Sequence, residues 1–273
     1  MPMIPVRTIA AAQSGVALPQ DCVVRSLKEL GATDGLREPL HRHDFHYLLL
    51  VLHGRGEHKI DFVNHTVGDG ALIYLRPGQV HQHYLLPGAT GYLLAFVNGF
   101  FVPPSGHHAP VIQLSSRLAT RLGSILAAVH DELQHRAANY ATVVQAQLTI
   151  LFTLLGRQYP PATTAPTLTA LLELIEQHYP DWKQSQDYAT ALHLSDRQLN
   201  HLCRRQLGQT VTQLLHARRL LEAKRLLLAT PLTVAEIAYQ LGFGDASYFG
   251  RFFRRHTGQS PQSFRGNSTV KGG

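Results

Sequence analysis

The sequence is poor in cysteine and has no long apolar run. Only Cys22 and Cys203 occur in 273 residues, far apart. This spacing argues against a disulfide framework or a cysteine-based zinc site, and it fits a reducing cytoplasm. No run of about 18 apolar residues is present, so no transmembrane helix is expected. Residues 1–17 lack the apolar centre of a secretory signal. We therefore expect a cytoplasmic protein with no membrane partner.

Acidic residues are also in short supply. The formal net charge is +7. Residues 166–273 hold 13 Lys/Arg against 8 Asp/Glu, whereas residues 1–165 hold 12 against 10. A basic balance suits a polyanion such as DNA, although alone it proves little. Histidine is distributed in the opposite sense: 12 of the 17 precede residue 166, and eight of these fall between His41 and His83.

Hydrophobic patterning divides the chain into three zones. Residues 21–97 contain short apolar or alternating runs between Gly/Pro turns, which predicts a small barrel or double-sheet roll. The predicted runs are 47–52, 58–63, 71–75, 80–86 and 91–97. Residues 115–159 predict two helices, and residues 167–265 predict an all-helical domain. The three prolines in 160–166 predict an extended linker between them.

The middle zone is the expected dimerisation segment. Apolar residues recur there at helical spacing, namely Leu118, Leu122, Ile125, Val129 and Leu133, and a second apolar helix is predicted over 140–155. Each helix could pack on the barrel of its own chain or pair with another subunit. We expect a homodimer formed through this segment.

Helix-start signals are clear in the last zone. Ser195 is followed three residues later by Gln198, and Thr233 by Glu236. Each pair predicts a capping box, in which the two side chains bond to the exposed backbone N–H groups of the first helical turn.

The last zone also contains a weak internal repeat with an offset of 50 residues. Ser195 and Asp245 are equivalent caps, and the positions after them correspond: Leu199 with Phe249, Leu202 with Phe252, Cys203 with Phe253, Arg204-Arg205 with Arg254-Arg255, and Gly208 with Gly258. The apolar members predict one buried stripe, and the glycines predict helix ends. A short helix and a turn precede each cap, over 187–192 and 234–242. This order predicts two helix-turn-helix units.

The second unit carries a dense, ordered set of residues: Val234-Ala235-Glu236-Ile237-Ala238, Gly242-Phe243, Asp245, Ser247-Tyr248-Phe249, Arg251, Phe253-Arg254-Arg255, Gly258, Ser260-Pro261 and Phe264-Arg265. It resembles the signature of the AraC/XylS family of bacterial transcription regulators. The resemblance covers about the last 100 residues. It implies a non-enzymatic protein that binds promoter DNA, with activation and contact to RNA polymerase as the favoured outcome.

The family's base-reading positions fall on the exposed tips of the two recognition helices. They are Arg197, Asn200 and His201 in the first helix, and Ala246, Ser247, Gly250 and Arg251 in the second. Arg197 and Arg251 suit guanine, and Asn200 suits adenine. Arg204, Arg205, Arg254 and Arg255 either contact phosphates or are simply solvated. Tyr248 and Phe249 are expected in the core. The helical stretch 210–228 is long enough to space the two tips toward successive grooves, about 34 Å apart.

The histidine-rich half resembles the cupin barrel that many AraC-like regulators carry as a sensor. The residues that carry this resemblance are His41-Arg42-His43, Tyr47, Gly54, Gly70, Pro77-Gly78 and His81. His41, His43, Tyr47 and His81 are expected to share a face and to contact a small-molecule effector. The three histidines could instead hold a divalent metal. Metal-binding cupins add a Glu four or five residues after the second His, but here those positions are Tyr47 and Leu48.

The expected fold is a two-domain α+β protein. It has a cupin-like β-barrel with flanking helices and a C-terminal all-α domain with two helix-turn-helix units. The expected boundaries are 1–114 for an arm (1–18) and effector-binding barrel, 115–159 for the dimerisation segment, 160–166 for the linker and 167–265 for the DNA-binding domain. The leading function is an effector-responsive transcription regulator. The alternatives are a metal-dependent cupin enzyme fused to a DNA-binding module and an architectural DNA-binding protein without an effector.

Overall fold

The computed structural model describes residues 6–7, 21–103, 109–159 and 166–267. These residues form two compact units, one ending at Tyr159 and the other beginning at Pro166. Apart from Val6 and Arg7, the expected N-terminal arm lies outside the described residues. The expected linker does so too, apart from Pro166.

The first unit is built on two five-stranded sheets. Its described strands are β1 (Val6–Arg7), β2 (Cys22–Ser26), β3 (Leu36–His43), β4 (His46–His53), β5 (Gly56–Ile60), β6 (Val63–Val67), β7 (Ala71–Leu75), β8 (Val80–Leu85), β9 (Thr90–Phe96) and β10 (Val111–Gln113). The strand orders are β1-β3-β8-β5-β6 and β10-β7-β4-β9-β2. All described pairs are antiparallel except β1 with β3. The sheet-rich N-terminal domain predicted from the turn spacing is confirmed as a double-sheet roll.

One predicted strand is wrong. The alternating run 58–63 crosses a hairpin, because β5 ends at Ile60 and the chain turns through Asp61 and Phe62 into β6. Both turn residues have positive φ, 45° and 75°. Tertiary bonds fix this turn: the Asp61 N–H donates to the Val80 carbonyl at 2.8 Å, and the Asp61 carboxylate accepts from the Val80 N–H. No glycine marks the turn, so the local pattern concealed it.

Strand β4 lies at the centre of the first unit. Its residues His46–Val51 are all buried, because the sheet is covered on both faces. Tyr47, Leu49 and Val51 pack in the cluster between the two sheets, whereas Leu48 and Leu50 pack in the cluster formed with the helices. The period-two alternation of a strand thus divides one apolar run between two cores.

The helices α1 (Ser116–His135) and α2 (Tyr140–Gln158) cover this sheet. Leu122 and Val129 are completely buried in the core of their own chain, and the rest of the predicted stripe packs against that core: Leu118, Ile125 and Leu133. The stripe is therefore unavailable to a second subunit. Of the two alternatives for this helix, the described residues therefore favour packing on the barrel of the same chain, because the apolar face of the sheet needs this cover.

The second unit contains only helices among its described residues. They are α3 (Pro166–His178), α4 (Ser185–Ala191), α5 (Asp196–Leu207), α6 (Val211–Ala229), α7 (Val234–Gln240), α8 (Ala246–Thr257) and α9 (Pro261–Asn267). A separate hydrophobic core forms around each copy of the 50-residue repeat. Leu199 and Cys203 lie in the first, and Phe249, Phe252 and Phe253 lie in the second. The predicted all-helical domain with two helix-turn-helix units is confirmed.

Local capping explains where these helices begin and end. Ser195 and Gln198 form the predicted capping box, as do Thr233 and Glu236. The Asp245 carboxylate accepts from the Tyr248 N–H at 2.6 Å. The helices α5 and α8 end at Gly208 and Gly258, whose φ values are 68° and 79°.

Removing one cap is expected to destabilise this unit slightly. We expect Ser195→Ala to lower its free energy of unfolding by about 1 kcal/mol, since the hydroxyl that accepts from the Gln198 N–H is lost. Urea unfolding followed by fluorescence measures the change. The exposed Ser247→Ala is the matched control and should leave the midpoint unchanged. Equal midpoints for the two variants would contradict the capping role.

Candidate DNA interface and histidine cluster

Most of the predicted DNA contacts lie on the exposed side of α5 and α8. Eight are exposed: Arg197, His201, Arg204, Arg205, Ser247, Arg251, Arg254 and Arg255. The buried stripe on the opposite side holds each helix onto its core, so these long side chains point to solvent. The arrangement presents basic groups along one face of each helix, as binding to a nucleic acid requires.

On α5 these residues line an open groove. Arg197, His201 and Arg204 follow one another at helical spacing of four and three residues, and they lie along the groove with Thr212 of α6. Gln198 also lines it while closing the capping box. The first two turns of α5 thus offer a guanidinium and an imidazole beside free space.

Asn200 does not offer a free amide. Its Nδ2 donates to the Asp196 carbonyl and carboxylate at 3.1 and 3.0 Å, and its Oδ1 accepts from the Val211 N–H at 3.2 Å. The side chain joins the start of α6 to α5 and is only half exposed. Bidentate reading of adenine by Asn200 stays a prediction, and it would require the amide to exchange its bonds to Asp196 for bonds to the base.

The helix α8 differs from α5 near its tip. An added Cβ at Gly250 would meet no atom within 4 Å, so this position leaves open space on the outer side. Ala246 is partly buried against the core. Tyr248, expected in the core, is 51% exposed, and the Arg251 guanidinium lies 6.0 Å from its ring centroid. Phe249 alone of that pair is buried.

The predicted effector residues come together inside the first unit. His41 lies opposite His81 across β3 and β8, with ring centroids 4.2 Å apart. Tyr47 of β4 stacks on His43 at 5.1 Å and lies 5.1 Å from His81. All four side chains are buried between the two sheets.

Two further buried histidines extend this group. His58 and His83 are direct neighbours across β5 and β8, with centroids 5.1 Å apart. The Nε2 of His58 and the Nδ1 of His81 are 2.8 Å apart. Hereafter the histidine cluster means His41, His43, His58, His81 and His83.

Burial disfavours the charged form of two members of the cluster, His58 and His81. Burial, with the neighbouring His83 as the next cause, lowers the pKa of His58 to about 2. Burial also lowers the pKa of His81 far below its usual range, with His41 as the next cause. Neutral imidazole is the form that binds metal.

A cupin-type metal would fit these side chains. His41, His43 and His81 each offer a ring nitrogen within 4.8 Å of the others. Three neutral imidazoles suit Zn²⁺, Ni²⁺ or Fe²⁺ as a Lewis acid. At the sequence position of the Glu in the cupin pattern stands Tyr47, whose ring stacks on His43.

The open space beside the cluster is small. A cavity of about 60 Å³ is lined by Arg25, Glu38, His41, His43, Tyr47 and His83, with apolar side chains around them. Pockets for metabolites usually occupy about 300–1,000 Å³. This cavity therefore has room for an ion or about two waters, and a larger effector would need more space than it offers.

Both halves of the chain match known families. Residues 26–152 match the AraC-like ligand binding domain, and residues 188–267 match a helix-turn-helix domain. The chain belongs to the AraC family of transcription regulators. It is an effector-responsive regulator with separate ligand-binding and DNA-binding domains, and the cupin-enzyme alternative is not favoured.

Curated relatives span most of this regulator. The HTH-type transcriptional activator RhaS of Citrobacter koseri is 27% identical over 83% of the chain and 87% of its own length. RhaS of Klebsiella pneumoniae is 25% identical over the same shares.

Similar solved structures include the C-terminal domain of the response regulator yesN from Fusobacterium nucleatum. It is 29% identical, covers 37% of this chain and 99% of its own, and has a TM-score of 0.36. Wild-type ToxT from Vibrio cholerae, solved with a bound unsaturated fatty acid, is 14% identical, covers 89% and 94%, and has a TM-score of 0.41.

Sequence reasoning about this regulator missed His58 and His83. Both lie at inward-facing strand positions, and the spacing of His81 and His83 by two residues was a usable signal. His46 is different: its ring bonds to Asn98 at 2.7 Å and to Tyr74 at 2.8 Å, so its polar atoms are satisfied structurally. Among the described residues, none of the regulator's helices has the length and apolar character needed to cross a bilayer.

Proposed function

We propose that this AraC-family regulator activates transcription by placing the N-terminal turns of α5 and α8 in successive major grooves of promoter DNA. The observation that carries the proposal is the exposure of Arg197, His201, Ser247 and Arg251 at those turns, each on a helix whose other side is buried. The 19-residue helix α6 lies between the two helix-turn-helix units in the chain and is about 28 Å long. This length suits the distance between successive major grooves.

The exposed arginines have two roles in this proposal. Arg197, in the first turn of α5, and Arg251, in the second turn of α8, read guanine through bidentate hydrogen bonds. The pairs nearer the helix ends contact phosphates and fix the register: Arg204, Arg205, Arg254 and Arg255. Ala246 and Gly250 leave space for the DNA backbone or a base methyl, so α8 reads fewer bases than α5.

Footprinting on promoter fragments tests this function. A protected site is expected that survives an excess of unrelated duplex, because base contacts add selectivity to phosphate binding. An architectural protein would bind the competitor equally well. Absence of any selectively protected site, with and without ligand, would remove the proposal.

The effector is proposed to bind among His41, His43, Tyr47 and His81. Those side chains are among the polar groups that converge inside the sheet-rich unit, and three of them line the cavity with Arg25 and Glu38: His41, His43 and Tyr47. Binding there would favour one arrangement of the two domains over another and so change promoter affinity and contact with RNA polymerase.

We also propose a homodimer, now through the outer face of α2. Val143 and Ile150 are exposed and seven residues apart, so they lie on the same side of the helix. Ile150→Glu is expected to give monomers in sedimentation velocity, since a buried carboxylate opposes association. Gln158→Glu, exposed on the same helix, is the control that adds the same charge. An unchanged dimer in Ile150→Glu would exclude this face.

A further inference from the structure

We infer that His58, His81 and His83 form a binding site for one divalent transition-metal ion on the β5/β8 side of the histidine cluster. This site is separate from the cupin-type set, with which it shares only His81. The inference concerns the same interior as the proposed effector site but does not depend on DNA binding.

Strand register brings the three rings together. His83 and His58 are paired across β8 and β5, and His81 lies two residues before His83 on the same face. Each of the three offers a ring nitrogen within 4.8 Å of the other two. Small rotations of the side chains would bring these nitrogens to a common ion at about 2.0–2.1 Å.

The ring nitrogens of His58 and His81 are not all hydrogen-bonded. His58 and His81 share one contact, between Nε2 and Nδ1. The other ring nitrogens, Nδ1 of His58 and Nε2 of His81, are buried without a hydrogen-bond partner. If His58 donates in the shared contact, its Nδ1 is a bare lone pair; if His81 donates, its Nε2 is one. Either tautomer leaves a lone pair and an N–H unsatisfied in the core, at a cost in stability.

The donor set defines the class of ion. Three imidazoles in an apolar interior favour Zn²⁺, Ni²⁺, Co²⁺ or Cu²⁺, whereas Mg²⁺ and Ca²⁺ require oxygen ligands. Binding would exchange the unsatisfied arrangement for metal–nitrogen bonds and would need no cavity larger than an ion.

Calorimetry with Zn²⁺ on the untagged, chelator-treated full chain tests the inference. We expect one equivalent to bind, and His58→Gln and His83→Gln each to weaken binding by roughly 100-fold, since each removes one of three ligands. His53→Gln, whose side chain is 80% exposed, is the matched control and should bind normally. His43→Gln should change the Zn²⁺ affinity by less than about tenfold, because it belongs only to the other set.

A crystal structure of the wild-type chain grown with Zn²⁺ tests the site without any substitution, so misfolding of a variant cannot affect the result. An anomalous peak bonded to all three of His58, His81 and His83 is expected. Failure to bind Zn²⁺, or a peak on His41 and His43 instead, would overturn the inference. Promoter affinity, measured on the same metal-free samples, reports separately on the proposed function and is expected to persist whichever result is obtained.

Discussion

Replacing Gly242 by alanine is expected to destabilise the DNA-binding unit by about 3 kcal/mol or more. Gly242 forms the turn between α7 and α8 with a φ of 78°, which L side chains rarely adopt. An added Cβ would also lie 1.9 Å from the carbonyl oxygen of Pro180, which is backbone and cannot rotate away. The turn must open, and the start of α8 must then shift from its core.

Two other glycines distinguish the effect of backbone strain from that of the clash with Pro180. Gly258→Ala carries the same backbone strain, φ 79°, but meets no atom within 4 Å, so we expect a loss of about 1–2 kcal/mol. Gly250→Ala lies in helix α8 in open space and should stabilise the unit by about 0.5–1 kcal/mol. Trp182 is the sole tryptophan and lies in this unit, so its fluorescence in urea reports the unit directly. Equal losses for Gly242→Ala and Gly258→Ala would show that the contact with Pro180 is unimportant.

The helical domain could be predicted in more detail than the sheets because its signals are local. Ser195, Thr233 and Asp245 each mark a helix start within three residues, and Gly208 and Gly258 mark the ends. The hairpin at Asp61 was missed because bonds to Val80, 19 residues away, fix it. The partner of the α1 stripe stayed open for a related reason: periodicity identifies an apolar face but not the surface that covers it, here the sheet of the same chain.

The candidate sites show the same limit. His41 and His43 could be paired from their spacing, and the cupin-like pattern added His81. His58 joins them only through the strand register, which no local pattern fixes. Asn200 had the right chemistry for a base contact, yet the fold uses its amide to join α5 to α6. Helical spacing places a residue on a face, whereas its bonding depends on what packs beside it.

Arginines at different positions along the recognition helices α5 and α8 are expected to have different effects on DNA binding when alanine replaces them. Arg251 is exposed in the second turn of α8, beyond Ser247. Arg251→Ala is expected to cost about 1–3 kcal/mol at its cognate site and to relax the base preference there, because a bidentate contact to guanine is lost. Alanine is a strong helix former, so the fold is retained.

Arg204 lies in the last turn of α5, and the proposed function assigns it a phosphate contact. Arg204→Ala should weaken binding to all sequences alike and reduce the salt dependence, the slope of log K against log salt, by about one unit. Arg55→Ala removes one exposed charge from the other unit and controls for net charge. Fluorescence anisotropy on cognate and mismatched duplexes, over a range of salt, separates the cases. If both arginine variants lose affinity uniformly, base reading cannot be assigned to Arg251, because only a base contact distinguishes one sequence from another.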